Sequence, residues 1–91
     1  MRLMLEPGED IAALVRGAIG ESRVVVIPAT LDALAMAQAK AAMEPLAVEL
    51  APATRVNAVV LAEHADPADV DAAVAFLEQA RSTTGQLIEI R

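Results

Sequence analysis

Residues 23–27 read Arg-Val-Val-Val-Ile, and this short run limits the fold more than any other feature of the chain. Successive side chains of a strand point to opposite faces, so a strand that is apolar at every position has two faces to bury. Such strands belong inside parallel sheets covered on both sides, because an antiparallel strand with one wet face alternates apolar and polar residues. Residues 55–61, Arg-Val-Asn-Ala-Val-Val-Leu, repeat the pattern with an interruption at Asn57. Parallel neighbours cannot be joined by a tight turn; each pair needs a crossover of about a dozen residues or more, usually helical.

The chain supplies such crossovers. Its order reads β-α-β-α-β-α-β, an α/β fold with a four-stranded parallel sheet and three helices in one domain over residues 1–91. The first strand is Arg2 to Leu5, ended by Pro7-Gly8. Glu9 and Asp10 then put negative charge at a helix start, where the macrodipole favours it. Ile11, Leu14, Val15, Ala18 and Ile19 recur at helical spacing up to Gly20. After the strand Arg23 to Ile27, Pro28 breaks the chain, and Thr30 is the expected N-cap of a helix over residues 31–50. Leu31, Leu34, Met36, Met43, Leu46 and Leu50 are its large apolar groups. Pro45 lacks an N–H and crowds the preceding turn, so it must kink or split this helix. The third strand is Arg55 to Leu61. Asp66-Pro67-Ala68-Asp69 is the sharpest local signal: an N-cap, a proline in the first helical position and an acid three residues after the cap. Val70, Val74, Phe76 and Leu77 give the last helix its buried stripe, Gly85 makes the turn, and Gln86 to Ile90 close the sheet.

Strand–helix–strand crossovers are right-handed in nearly all proteins. With four strands in sequence order, all three helices would then share one face and leave the other bare, which a soluble monomer does not sustain. Either the strand order reverses or a second molecule covers the sheet. Composition adds to the need for a partner. A chain of 91 residues buries about 60–65% of its unfolded surface, and with 21 alanines and Phe76 as the one aromatic the core is thin. The absence of cysteine excludes a disulfide scaffold and a thiolate metal cluster. A net charge of −6, with seven Lys and Arg scattered singly, excludes the basic surface and stacking platforms of a nucleic-acid binder. No apolar run reaches the length of a membrane span, and the early Pro7-Gly8 breaks any leader pattern. The cytoplasm is the expected compartment, with neither membrane nor nucleic acid as partner.

Downstream of Lys40 stand the phrases Ala47-Val48-Glu49-Leu50-Ala51-Pro52 and Arg55-Val56-Asn57-Ala58-Val59. Asp66-Pro67-Ala68-Asp69-Val70, Ala75-Phe76-Leu77 and Thr84-Gly85-Gln86-Leu87-Ile88-Glu89-Ile90 follow. In this order, over about the last two thirds of the chain, they resemble the short-chain dehydrogenase/reductase family. In that family an active-site lysine opens a long helix and a Thr-Gly-Gln strand closes the sheet. The resemblance implies the second half of a Rossmann fold, a three-layer architecture reduced to four strands. Departures fall where the chemistry would be. The family holds its dinucleotide on a Gly-rich turn after the first strand; Pro7-Gly8 and the Gly17/Gly20 pair have neither that spacing nor the preceding strand. The family's catalytic tyrosine lies four residues before the lysine, and counting back from Lys40 gives Met36, which has no proton to donate. Its serine belongs near the end of the second strand, where this chain has Pro28-Ala29-Thr30. The substrate loop is reduced to Ala62-Glu63-His64-Ala65.

Lys40 and Thr30 are therefore vestigial candidates, Lys40 as a solvated or snorkelling side chain and Thr30 as a helix cap. Asn57 is expected to serve strand-end hydrogen bonding, and His64 to be an exposed loop residue rather than a metal ligand or proton shuttle. Asp66, Asp69 and Asp71 read as helix-end electrostatics, since the glycine and distal glutamate of a calcium loop are missing. No catalytic, cofactor-binding or metal-ligating residue is expected. In the resembled family the lysine helix and the one before it form much of the dimer interface, which makes Met36, Ala39, Met43 and Ala47 the candidate contacts between subunits. The expectation is a non-catalytic relative that works by assembly, with itself or with a full-length reductase, using this helix and a bare sheet face. The alternative is a half fold that completes an active site with another chain, binding NAD(P) only if that chain brings the Gly-rich turn. A third is an auxiliary domain cut from a longer reductase, since the chain stops at Arg91 where the family adds a short glycine-containing tail.

Overall fold

The computed structural model describes residues 1–91. The elements are β1 (Arg2–Met4), α1 (Ile11–Gly17), β2 (Ser22–Ile27), α2 (Ala33–Leu50), β3 (Arg55–Leu61), α3 (Pro67–Gln79) and β4 (Leu87–Ile90). The four strands form one parallel sheet in the order β1-β2-β3-β4, an α/β Rossmann-like half fold. No helix is long and apolar enough to cross a membrane.

Each helix starts on an aspartate. Asp10 accepts the Ala12 N–H at 2.9 Å, Asp32 the Ala35 N–H at 2.8 Å, and Asp66 the Ala68 N–H at 2.9 Å, with Pro67 opening the first turn of α3. These bonds satisfy N–H groups that a helix start leaves without partners. Asp32 takes the role expected of Thr30, which lies exposed in the turn before it. The helix begins at Ala33, two residues later than expected, which brings the acid, not the hydroxyl, into reach of the first turn. Arginines finish the opposite ends. Arg23 at the head of β2 donates to the Val15 carbonyl in the last turn of α1 at 3.0 Å, and Arg55 at the head of β3 donates to the Glu78 carbonyl at the end of α3 at 3.1 Å. A cation there meets carbonyls of the last helical turn and the negative end of the helix dipole.

The expectation of a bare face is corrected by how the helices divide. Val15, Val25, Ile27, Met43, Val56 and Val60 belong to one core, under α1 and α2, whereas Val24, Val26, Val59, Val70, Val74 and Leu77 form a second, under α3. The valine run of β2 thus feeds both cores by alternation, and all four of its apolar residues are fully buried. Strand order is sequential, yet α3 lies on the face opposite to α1 and α2. Its crossover consequently has the other hand from the first two, so one crossover departs from the usual rule. The chain needs neither a reversed order nor a second molecule to cover its sheet.

Four further expectations give way. Pro45 does not split α2, which runs unbroken from Ala33 to Leu50. Ala41, one turn earlier, and Pro45 are both exposed, so the carbonyl that loses its donor turns to water. Phe76 is 61% exposed, because α3 meets the sheet through Val70, Val74 and Leu77 and position 76 falls outside that stripe. Ile19 lies beyond the end of α1 and is exposed, and Leu34 is exposed on the outside of α2.

Asn57 is fully buried in β3. Its Nδ2 donates to the Thr83 carbonyl at 3.0 Å and its Oδ1 accepts the Gln86 N–H at 3.0 Å. Beside it the Val56 N–H donates to Thr84 Oγ1 at 3.0 Å, and the Gly85 N–H donates to the Val56 carbonyl at 2.7 Å. Together these bonds clamp the segment that leads into β4. Gly85 takes a φ of +78°, a backbone conformation that residues with a Cβ rarely adopt.

Candidate functional site

In doubly wound α/β folds ligands bind beyond the carboxyl ends of the strands. Two depressions lie at that edge. The first is formed by α2 and the ends of β3 and β4, where Met36 and Lys40, one helical turn apart, line a groove with Val60, Leu61, Glu89 and Ile90. Lys40 Nζ lies 3.1 Å from Glu89 Oε1, and both side chains are partly exposed. The lysine carries a partner from β4 that local spacing could not reveal. Thr30, exposed in the turn before α2, does not line this groove. The groove holds a thioether and an ion pair, with no hydroxyl to pass a proton.

The second depression lies at the end of β1, between the starts of α1 and α2, lined by Glu6, Glu9, Asp10, Ile11, Leu31 and Gln38 among others. Several backbone donors at this end are already engaged. Asp10 takes the Ala12 N–H at 2.9 Å and the Ala13 N–H at 3.4 Å, and Glu9 Oε1 takes the Glu6 N–H at 3.0 Å. A pyrophosphate is held by free N–H groups at a helix start in a positive field; here it would meet three carboxylates. Asp32, Glu63 and Asp66 add negative charge to the neighbouring loops. The residues of this edge do not fit a dinucleotide. His64 is exposed, and no group of three or more His, Asp or Glu side chains is placed to hold a metal ion. Asp66 caps α3, and Asp71 pairs with Arg2 at 2.6 Å.

α2 presents its two sides very differently. Ala39, Met43 and Ala47 are buried in the chain's own core, with Met36 packed at its margin. These are the candidate contacts between subunits; in the single chain they face the sheet, and Met43, at 0% exposure, is among the largest fully buried side chains of a thin, alanine-rich core. The outward side carries Leu34, Ala37, Ala41, Pro45 and Val48, with Leu34 68% and Val48 72% exposed. Their spacing of three and four residues was the available signal, hidden because the inward side repeats it. Near the end of this stripe Arg16 of α1 makes two hydrogen bonds of 2.7 Å to the Glu49 carboxylate, bracing α1 against α2. The direct hydrogen bond from Arg16 holds the Glu49 carboxyl below its ordinary range, and the same bond raises the guanidinium further.

No curated protein and no solved structure matches the chain. One family profile, described as "Short chain dehydrogenase-like protein", matches residues 7–90. That span includes the Lys40 helix, the Asn57 strand and the Gly85 turn, and over it the chain belongs to the short chain dehydrogenase-like family.

Proposed function

We propose that this protein is a non-catalytic member of its family that works by assembly, with a second copy or with a full-length reductase. One helix carries the reading. On the side of α2 toward the sheet edge, Met36 stands four residues before Lys40 and the lysine is tied to Glu89; on its outer side Leu34 and Val48 leave apolar surface in water. Exposed large apolar groups gathered on one element mark contact surfaces. The acidic turn at Glu6, Glu9 and Asp10 supports the absence of a bound dinucleotide, since phosphate there would be repelled. The alternative, an active site completed by another chain, would require that chain to bring a Gly-rich turn and also the hydroxyl that Met36 lacks.

The test is the solution mass from light scattering, measured with and without NAD(P)H, for the wild type and for Leu34→Glu/Val48→Glu. The expected result is an oligomer indifferent to the nucleotide, alone or with a reductase, that falls to smaller species in the double variant with its circular-dichroism spectrum preserved. A change in NAD(P)H fluorescence on mixing, or an assembly untouched by the double variant, would overturn the proposal.

A further inference from the structure

β1 ends the sheet. In a parallel pair, alternate residues of a strand bond to the neighbour. The Val24 N–H donates to the Met1 carbonyl at 2.8 Å and the Leu5 N–H donates to the Val26 carbonyl at 3.0 Å, so the odd-numbered residues of β1 turn their backbone inward. Arg2 and Met4 turn theirs away from the sheet. Unpaired edge groups of this kind are a template for another strand. No proline or glycine lies within residues 2–6 to blunt it. α3 packs over β2, β3 and β4, which leaves Met4 44% exposed beside the edge.

The segment Arg2-Leu3-Met4-Leu5-Glu6 complements its own reverse. When two copies lie antiparallel with Met4 on the two-fold axis, Met4 faces Met4, Leu3 faces Leu5, and Arg2 faces Glu6 in both halves. Opposite charges directly across a strand pair are favourable and like charges are not. This register sets a cation against an anion twice and keeps the two arginines at opposite ends. The two Met4 residues exchange N–H and carbonyl bonds. The Arg2 N–H meets the Glu6 carbonyl of the other copy, whose second lone pair is free beside the bond it accepts from the Glu9 N–H. Asp71, 2.6 Å from Arg2, holds that side chain on the face where the opposing Glu6 arrives.

We propose that the free edge of β1 docks a second copy of this chain, antiparallel through residues 2–6, to make one continuous sheet. The inference rests on the assembly reading but names a surface apart from the outer side of α2. Three variants test it by light-scattering mass and by hydrogen exchange at the Met4 amide. Met4→Pro removes an outward N–H without touching the β1–β2 ladder, a position where an edge strand accepts proline. Arg2→Glu and Glu6→Arg each set like charges across the pair, and the combined swap restores opposite ones. The mass should halve in Met4→Pro and in each single charge reversal and return in the swap, with the Met4 amide protected in the wild type and exchanging freely in Glu6→Arg. A mass unmoved by Met4→Pro but halved by Leu34→Glu/Val48→Glu overturns the edge and leaves assembly through α2 standing. A wild-type monomer at every concentration also overturns the edge, as does Met4 protection seen only when a reductase is added.

Discussion

Replacing Asn57 with leucine keeps the size of a fully buried side chain and removes both of its hydrogen bonds, so it isolates what the clamp on the β4 lead-in contributes. The Thr83 carbonyl and the Gln86 N–H, each bonded at 3.0 Å, lose their partners. A buried polar group without a partner costs about 1–3 kcal/mol. Gln86 is exposed, so a small movement returns its N–H to water, which puts the sum near the lower half of the range, about 2–3 kcal/mol. A domain of this size has a total stability of about 5–14 kcal/mol, and a loss of this magnitude lowers Tm by about 10–20 °C. Asn57→Asp separates the two bonds. Its carboxylate still accepts from Gln86 but turns a negative oxygen toward the Thr83 carbonyl, in a fully buried position, so its pKa rises above the ordinary value. A carboxyl whose folded pKa is raised gives stability that is complete below its unfolded pKa and lost as pH rises through the folded value. Asn57→Asp should therefore be most impaired at neutral pH and recover on acidification, relative to wild type at the same pH. Urea titrations followed by circular dichroism measure both effects. A loss below about 1 kcal/mol for Asn57→Leu, or no recovery of Asn57→Asp in acid, would refute the clamp.

Met43→Glu puts a charge into the core under α2, where nothing pairs with it, and should abolish the helical circular-dichroism signal at neutral pH rather than release folded subunits; a folded monomer would contradict the packing described. The Arg16–Glu49 pair predicts a small acid sensitivity. Glu49 lies below its ordinary 4.5 in the fold, so its contribution is present above the unfolded value and fades as pH falls through the folded one; the Tm difference between wild type and Glu49→Gln should shrink in that window, and a difference constant with pH would remove the pair from the account.

The fold was largely legible because its main signals are local. The valine run of β2, the Asp66-Pro67 start of α3 and the Gly85 turn are each settled within a few residues, and each stands where expected. What was not legible depended on distant partners. Both sides of α2 repeat at helical spacing, so nothing in the order of Leu34, Met36, Met43 and Val48 says which side meets the sheet; that follows from where β2 and β3 lie. Phe76 looked like core because it is large, but the orientation of α3 is set by Val70, Val74 and Leu77. The position of α3 on the opposite face runs against the usual crossover hand, a rule that the need to cover Val24, Val26 and Val59 overrides here. At the candidate site the missing hydroxyl at Met36 was plain from counting, whereas the Glu89 partner of Lys40 comes from a strand 49 residues away.

The arginines at the strand heads have a consequence for how β2 finds its place. A strand normally keeps its register because slipping by one residue exchanges its core face for its wet face. β2 has no wet face: moving Val24-Val25-Val26-Ile27 by one position presents nearly the same surface to both cores. Its side chains alone are thus almost blind to the error. Arg23 is not, because a one-residue slip carries its guanidinium to the wrong side of the sheet, away from the Val15 carbonyl at the end of α1. Arg55 polices β3 against α3 in the same manner. Two polar locks at the rim do the proofreading that a uniform interior cannot.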